Sequence, residues 1–131
     1  MKKRHYIGIL CCLIMMACGK ESPKYDKEVL EGHWLRISSS DARSDSMIVH
    51  VGTGNTGIVV FTPFSSNFSL QELTWQSITP VAEFGDFQLL DLSADGNLWK
   101  AFIIMKSEME LEIINAEYPN VPGGGQQWIK L

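Results

Sequence analysis

What most limits the fold of this chain is its punctuation. Between Val29 and Leu131 no stretch repeats its apolar residues at a helical period. Short runs rich in β-branched and aromatic residues alternate instead with clusters of Gly, Pro, Asn, Asp and Ser. Each run is long enough for one strand, and each cluster supplies the backbone conformations of a tight turn. Strands are predicted over 32–37, 46–51, 58–62, 70–78, 87–92, 98–105, 109–115 and 126–131. The segment Gly52-Thr53-Gly54-Asn55-Thr56-Gly57 is rich in residues that tolerate positive φ, and Asp95-Gly96-Asn97 is a hairpin signal. Alternation places Met47, Val49 and Val51 on one face of the second run. In the seventh it turns Met109, Leu111 and Ile113 inward and Glu110 and Glu112 outward. About eight short strands with such turns predict an all-β fold, a small antiparallel meander closing into a barrel or sandwich. Roughly a hundred residues suffice for one such domain.

Ahead of this domain the chain changes character. Lys2, Lys3 and Arg4 precede residues 6–17, which carry no charge, and residues 19–24 are polar again. A basic start, a short apolar run and a small residue at its end predict a secretory signal over 1–17. The run falls short of the roughly 20 apolar residues that a membrane-spanning helix needs. Its end, Met15-Met16-Ala17-Cys18, resembles the lipobox of bacterial lipoproteins, in which the cysteine is lipidated before cleavage. That resemblance makes Cys18 the lipidation site, residues 18–28 a lipidated N-terminus and flexible tether, and 29–131 the barrel domain. Cys11 and Cys12 lie within the apolar run, so cleavage would leave Cys18 without a partner for an intrachain disulfide. Two or three acyl chains would hold the protein on a membrane permanently. Gly19 is not the Asp that retains lipoproteins on the inner membrane of enteric bacteria, so an outer-membrane location is expected.

Loss of the leader removes three basic residues and no acid, taking the net charge from −4 to −7. An acidic surface without a basic stripe argues against nucleic acid as a partner. The expected partners are the membrane, through Cys18, and either a small apolar or amphipathic ligand or glycan fragment, or another envelope protein.

Three further segments resemble a known family. Leu30-Glu31-Gly32-His33-Trp34-Leu35 is similar to the Gly-x-Trp opening of lipocalin-like barrels. The middle stretch from Leu89 to Asn97 and the closing Gly125-Gln126-Gln127-Trp128-Ile129-Lys130-Leu131 resemble the short lipocalin-like lipoproteins of Bacteroidetes-type bacteria. The likeness runs over nearly all of 29–131, although the C-terminal helix, the cysteine pair and a later Asp- and Tyr-bearing motif of full-length lipocalins are missing. It implies a barrel plug in which Gly32 lets the first strand bend and Trp34 closes one end, packed near Trp128 or under Lys130. An eight-stranded barrel can be filled by side chains or can hold one small ligand.

Trp34, Trp75, Trp99 and Trp128 can fill a small core. Trp75 is the best candidate for a ligand contact, because its strand joins the two longest aromatic loops, 63–69 and 79–85, where a barrel mouth is expected. Phe64 and Phe68 lie in the first of those loops, either exposed as a contact patch or folded back. Asp91 is the one acid in an apolar run, and alternation with Phe87 and Leu89 turns it inward, as a structural hydrogen-bonding group or a polar anchor for a ligand. His33 and His50 show no metal-ligand spacing. No nucleophile elbow, Ser/His/Asp order, Cys/His pair or phosphate loop is recognisable. The expectation is therefore a noncatalytic binding lipoprotein without metal or cofactor. The alternative is a filled barrel whose loops dock onto another envelope component.

Overall fold

The computed structural model describes residues 24–81 and 84–131. Its strands are β1 (Gly32–Ser39), β2 (Ile48–Val51), β3 (Gly57–Phe61), β4 (Leu73–Pro80), β5 (Phe87–Leu92), β6 (Leu98–Ser107), β7 (Glu110–Asn115) and β8 (Gly125–Lys130). Each pairs antiparallel with the next, and β8 returns to pair with β1, so the meander closes into an eight-stranded barrel. Closure satisfies the backbone groups that an open sheet would leave unpaired along its edges. A 3₁₀ turn, Lys27–Leu30, leads into β1, and a second, Ala42–Ser44, lies between β1 and β2. Among the described residues no helix is long and apolar enough to cross a membrane.

All eight predicted strands form, with shifted ends. The second begins at Ile48 because Ser46 has φ 75°, outside the extended region. The fourth begins at Leu73, after Gln71 turns with φ 69°. The seventh begins at Glu110, and Met109, expected inward, is exposed in the preceding turn, whereas Leu111 and Ile113 face the core. Register shifts mark bulges in β1 between Arg36 and Ser38 and in β4 between Gln76 and Thr79, where Ser77 has φ 52°. Such bulges bend and twist strands, which a small barrel requires.

The lumen is not filled evenly. Trp34, Val49, Val59, Trp75, Phe87, Ile103, Leu111 and Trp128 are buried in one continuous core. Trp75 and Trp128 meet edge to face with ring centroids 4.9 Å apart. Gly57 makes room for this pair. A Cβ there would lie 2.8 Å from Val49 and 3.0 Å from the Trp75 ring. One end of the barrel is closed by the incoming chain: Leu30 is buried, its carbonyl accepts from Trp34 Nε1 at 2.8 Å, and Lys130 Nζ lies 5.4 Å over the Trp34 ring. Lys130 also donates to the Val29 carbonyl at 2.8 Å. Gly32, at φ 129°, lets β1 turn under the Lys130 side chain, whose Cε would come within 3.1 Å of a Cβ. Gly32, Trp34 and Lys130 thus form one closing cluster. Trp128 lies further in, against Trp75.

Candidate binding site

The other end of the barrel holds a cavity of about 480 Å³. That volume falls within the range of small-molecule sites. Meander topology decides which loops surround it. Successive connections of an up-and-down barrel lie at alternate ends, so β1–β2, β3–β4, β5–β6 and β7–β8 share one end. The cavity is lined from all four.

Three polar side chains form its base. Asp91, on β5, reaches across the lumen to β8, where Gln126 Nε2 donates to its Oδ2 at 2.8 Å. The amide of Gln126 is fixed in that orientation. Its Oε1 accepts from Trp128 Nε1 at 3.0 Å, and its Nε2 also donates to the Gly123 carbonyl at 2.9 Å. Burial pushes the Asp91 carboxyl up to about 7, against the opposing pull of the Gln126 hydrogen bond and the Arg36 charge. Arg36 is only 3% exposed. Its Nε donates to Asp45 Oδ1 at 3.4 Å, and its Nη2 to Ser39 Oγ at 2.5 Å and to the Asp41 carbonyl at 2.6 Å. Burial lowers its pKa, and Asp45, Asp91 and Asp41 oppose that shift.

Above this base the walls are largely apolar, with Phe68, Leu92, Trp99 and Tyr118 among the lining residues. Trp99 and Tyr118 meet edge to face at 5.7 Å. Hydrogen bonds between connections hold the rim. Ser44 Oγ bonds Ser66 Oγ at 3.0 Å, Ser65 Oγ donates to the Arg43 carbonyl at 2.6 Å, and Ser40 Oγ donates to the Val121 carbonyl at 2.8 Å. Arg43 grips Asp41 at 2.9 and 3.0 Å, which holds the Asp41 carboxyl below the usual range. A rim joined in this way is largely preorganised.

Asp91 and Phe68 line the cavity, and Phe68 is folded back to 9% exposure. Phe64 takes the opposite course, fully exposed and away from the cavity lining. Trp75 corrects the expectation of a mouth contact. It pairs with Asp91 in register, yet it is fully buried in the core and absent from the cavity wall. Loops 63–69 and 79–85 are successive connections and open at opposite ends, so only the first reaches the cavity; residues 82–83 of the second lie outside the described residues. Cys18 lies outside them too.

Sequence reasoning missed Arg36, Gln126, Trp99 and Tyr118 as lining residues. The signal for the first two was the alternation itself, since two residues from inward Trp34 is Arg36, and two before inward Trp128 is Gln126. It also missed that His33 and His50 are cross-strand partners, their rings 4.5 Å apart on the outer face. No cluster of three or more His, Cys, Asp or Glu suited to a metal occurs among the described residues. The chain matches no known protein family, curated protein or solved structure.

Proposed function

We propose that this protein is a lipid-anchored, noncatalytic lipoprotein of the cell envelope, with a lipocalin-like barrel that binds one small amphipathic molecule in the cavity at its open end. The observation that carries this reading is the uneven lumen. One end is closed by Leu30, Trp34 and Lys130, while the other leaves about 480 Å³ walled by Phe68, Trp99 and Tyr118 over a polar base. Apolar walls with a few placed polar groups suit a ligand with an apolar body and one polar end. The same cavity counts against a barrel filled solid that acts only through its loops.

The binding test uses the intact chain carrying Cys18→Ala, purified from the soluble fraction, with the neutral dye N-phenyl-1-naphthylamine. Saturable fluorescence enhancement is expected, weakened by Trp99→Ala. A folded protein that binds no dye would overturn the reading.

The anchor rests on Met15-Met16-Ala17-Cys18 at an apolar-to-polar boundary. Metabolic labelling with a fatty-acid probe should mark the wild type and not Cys18→Ala, with Cys11→Ala and Cys12→Ser labelled normally. Equal labelling of Cys18→Ala refutes the anchor. Fractionation of the cells should place the labelled protein in the outer membrane.

A further inference from the structure

We infer that the cavity takes an amphiphile with a single carboxylate head, which docks on the Nη1 edge of Arg36 beside Asp91 while the apolar body lies toward Phe68, Trp99 and Tyr118. This rests on the binding-module reading above and adds the chemical class of the ligand.

A guanidinium has five N–H groups. Asp45, Ser39 and the Asp41 carbonyl engage Nε and both positions of Nη2, and Nη1 forms no hydrogen bond among the described residues. Arg36 is nevertheless 97% buried, and the space it borders is the cavity. Two N–H donors of a buried cation are therefore left for whatever occupies that space. These donors face the cavity, and a charge-assisted bond to an anion is the strongest way to satisfy them. Among the described residues Asp45 is the one carboxylate paired with Arg36, and it meets the Nε edge at 3.4 Å, not Nη1.

The second group at the base selects the charge. Burial makes Asp91 reluctant to ionise, so its protonated form adds no second negative charge beside the Arg36–Asp45 pair and offers an O–H donor of its own. A cationic head would have to lie beside Arg36. A dianion would bring a second negative charge to a base where Asp45 already offsets Arg36. One carboxylate can accept from the Nη1 edge and from the Asp91 O–H.

The ionisable groups around Asp91 give this a pH signature. Arg36 faces it from β1, the Asp41–Arg43 pair from the β1–β2 connection, Asp95 from the β5–β6 turn and Tyr118 from the β7–β8 connection. Its strand neighbours across β4 and β6 are Trp75 and Trp99, which carry no charge. Arg43 holds Asp41 ionised, and Ser93 does the same for Asp95. Asp91, with its carboxyl near 7, is the group whose charge changes between pH 6 and 8. An aliphatic carboxylate stays ionised across that interval. Its affinity should follow the protonated fraction of Asp91, tightening about tenfold from pH 8 to pH 6.

The test is displacement of N-phenyl-1-naphthylamine from the intact Cys18→Ala chain by decanoate, decanol and decylamine at both pH values. Decanoate should bind most tightly and gain about tenfold on acidification, with decanol unchanged. Asp91→Asn should bind decanoate equally at both pH values. Because Arg36 also ties down the β1–β2 connection, the headgroup series and Asp91→Asn carry the test; Arg36→Met, if folded, should lose the preference for decanoate over decanol. Decanol or decylamine binding as well as decanoate, or decanoate affinity unaffected by pH in the otherwise unaltered chain, would overturn the inference and leave the binding reading standing. Failure to bind the dye at all would sink both.

Discussion

At the scale of single residues, Asp91 shows how one buried carboxyl links stability to pH. Its folded-state value of about 7 lies above the ordinary 3.8 of an unfolded chain. Between those limits the folded protein keeps a proton that the unfolded chain releases. The contribution to stability is therefore complete below the lower limit and is lost as pH rises toward the upper one. Asp91→Asn removes the titration while keeping an oxygen to accept from Gln126. The variant should gain on the wild type as pH rises from 4 to 8, by at most about 4 kcal/mol. Denaturant melts at several pH values check this, and a constant difference between the two proteins would refute it. Trp34 presents the simpler case. It is fully buried, bonded to the Leu30 carbonyl and covered by Lys130, so Trp34→Ala should cost about 3–5 kcal/mol. A loss below about 1 kcal/mol would show that the closed end does not depend on this ring.

At the scale of elements, the strands divide the tryptophans by depth, and depth separates stability from binding. Trp75 and Trp128 pack against each other in the filled half, whereas Trp99 borders the cavity and touches Tyr118. Trp75→Ala should lower stability by about 3–5 kcal/mol. Trp99→Ala should leave the melting midpoint nearly unchanged and weaken dye binding severalfold. The reverse pattern would move the site to the β4 side of the lumen. The strand count, the hairpin at Asp95-Gly96 and the inward turn of Asp91 were legible because alternation and turn chemistry are local properties of a sequence. The cavity was less legible, because depth along a barrel depends on register, and register is set by bulges. The shift between Gln76 and Thr79, with Ser77 at positive φ, leaves no compositional mark in residues 73–80. Meander parity, by contrast, was available without any structure. It forbids loops 63–69 and 79–85 from sharing an end once all intervening strands pair in order. Arg36 and Gln126 were hidden by expectation, since inward positions in strands are normally read as apolar.

At the scale of the whole molecule, the barrel has a direction that bears on the proposed anchor. The chain enters β1 at the closed end, beside Leu30 and Lys130, and the cavity opens at the opposite end, among the β1–β2, β3–β4, β5–β6 and β7–β8 connections. With a lipid on Cys18, nine peptide units separate the anchor from Lys27, a span of at most about 32 Å. The closed end would then be the part held nearest the membrane, with the mouth facing away from it, toward the aqueous phase. A fluorophore placed at the closed end through Thr53→Cys, in a turn exposed to solvent, should be quenched strongly by a quencher confined to the bilayer. One placed at the mouth through Asp95→Cys, also exposed, should be quenched weakly. Lipidated protein in vesicles is the sample to measure, with unlipidated Cys18→Ala protein as the baseline for each label. Stronger quenching at residue 95 than at residue 53 would show the mouth turned to the lipid. The acid amphiphile would then be drawn from the bilayer itself, and the exposed Phe64 beside that end would be a membrane contact.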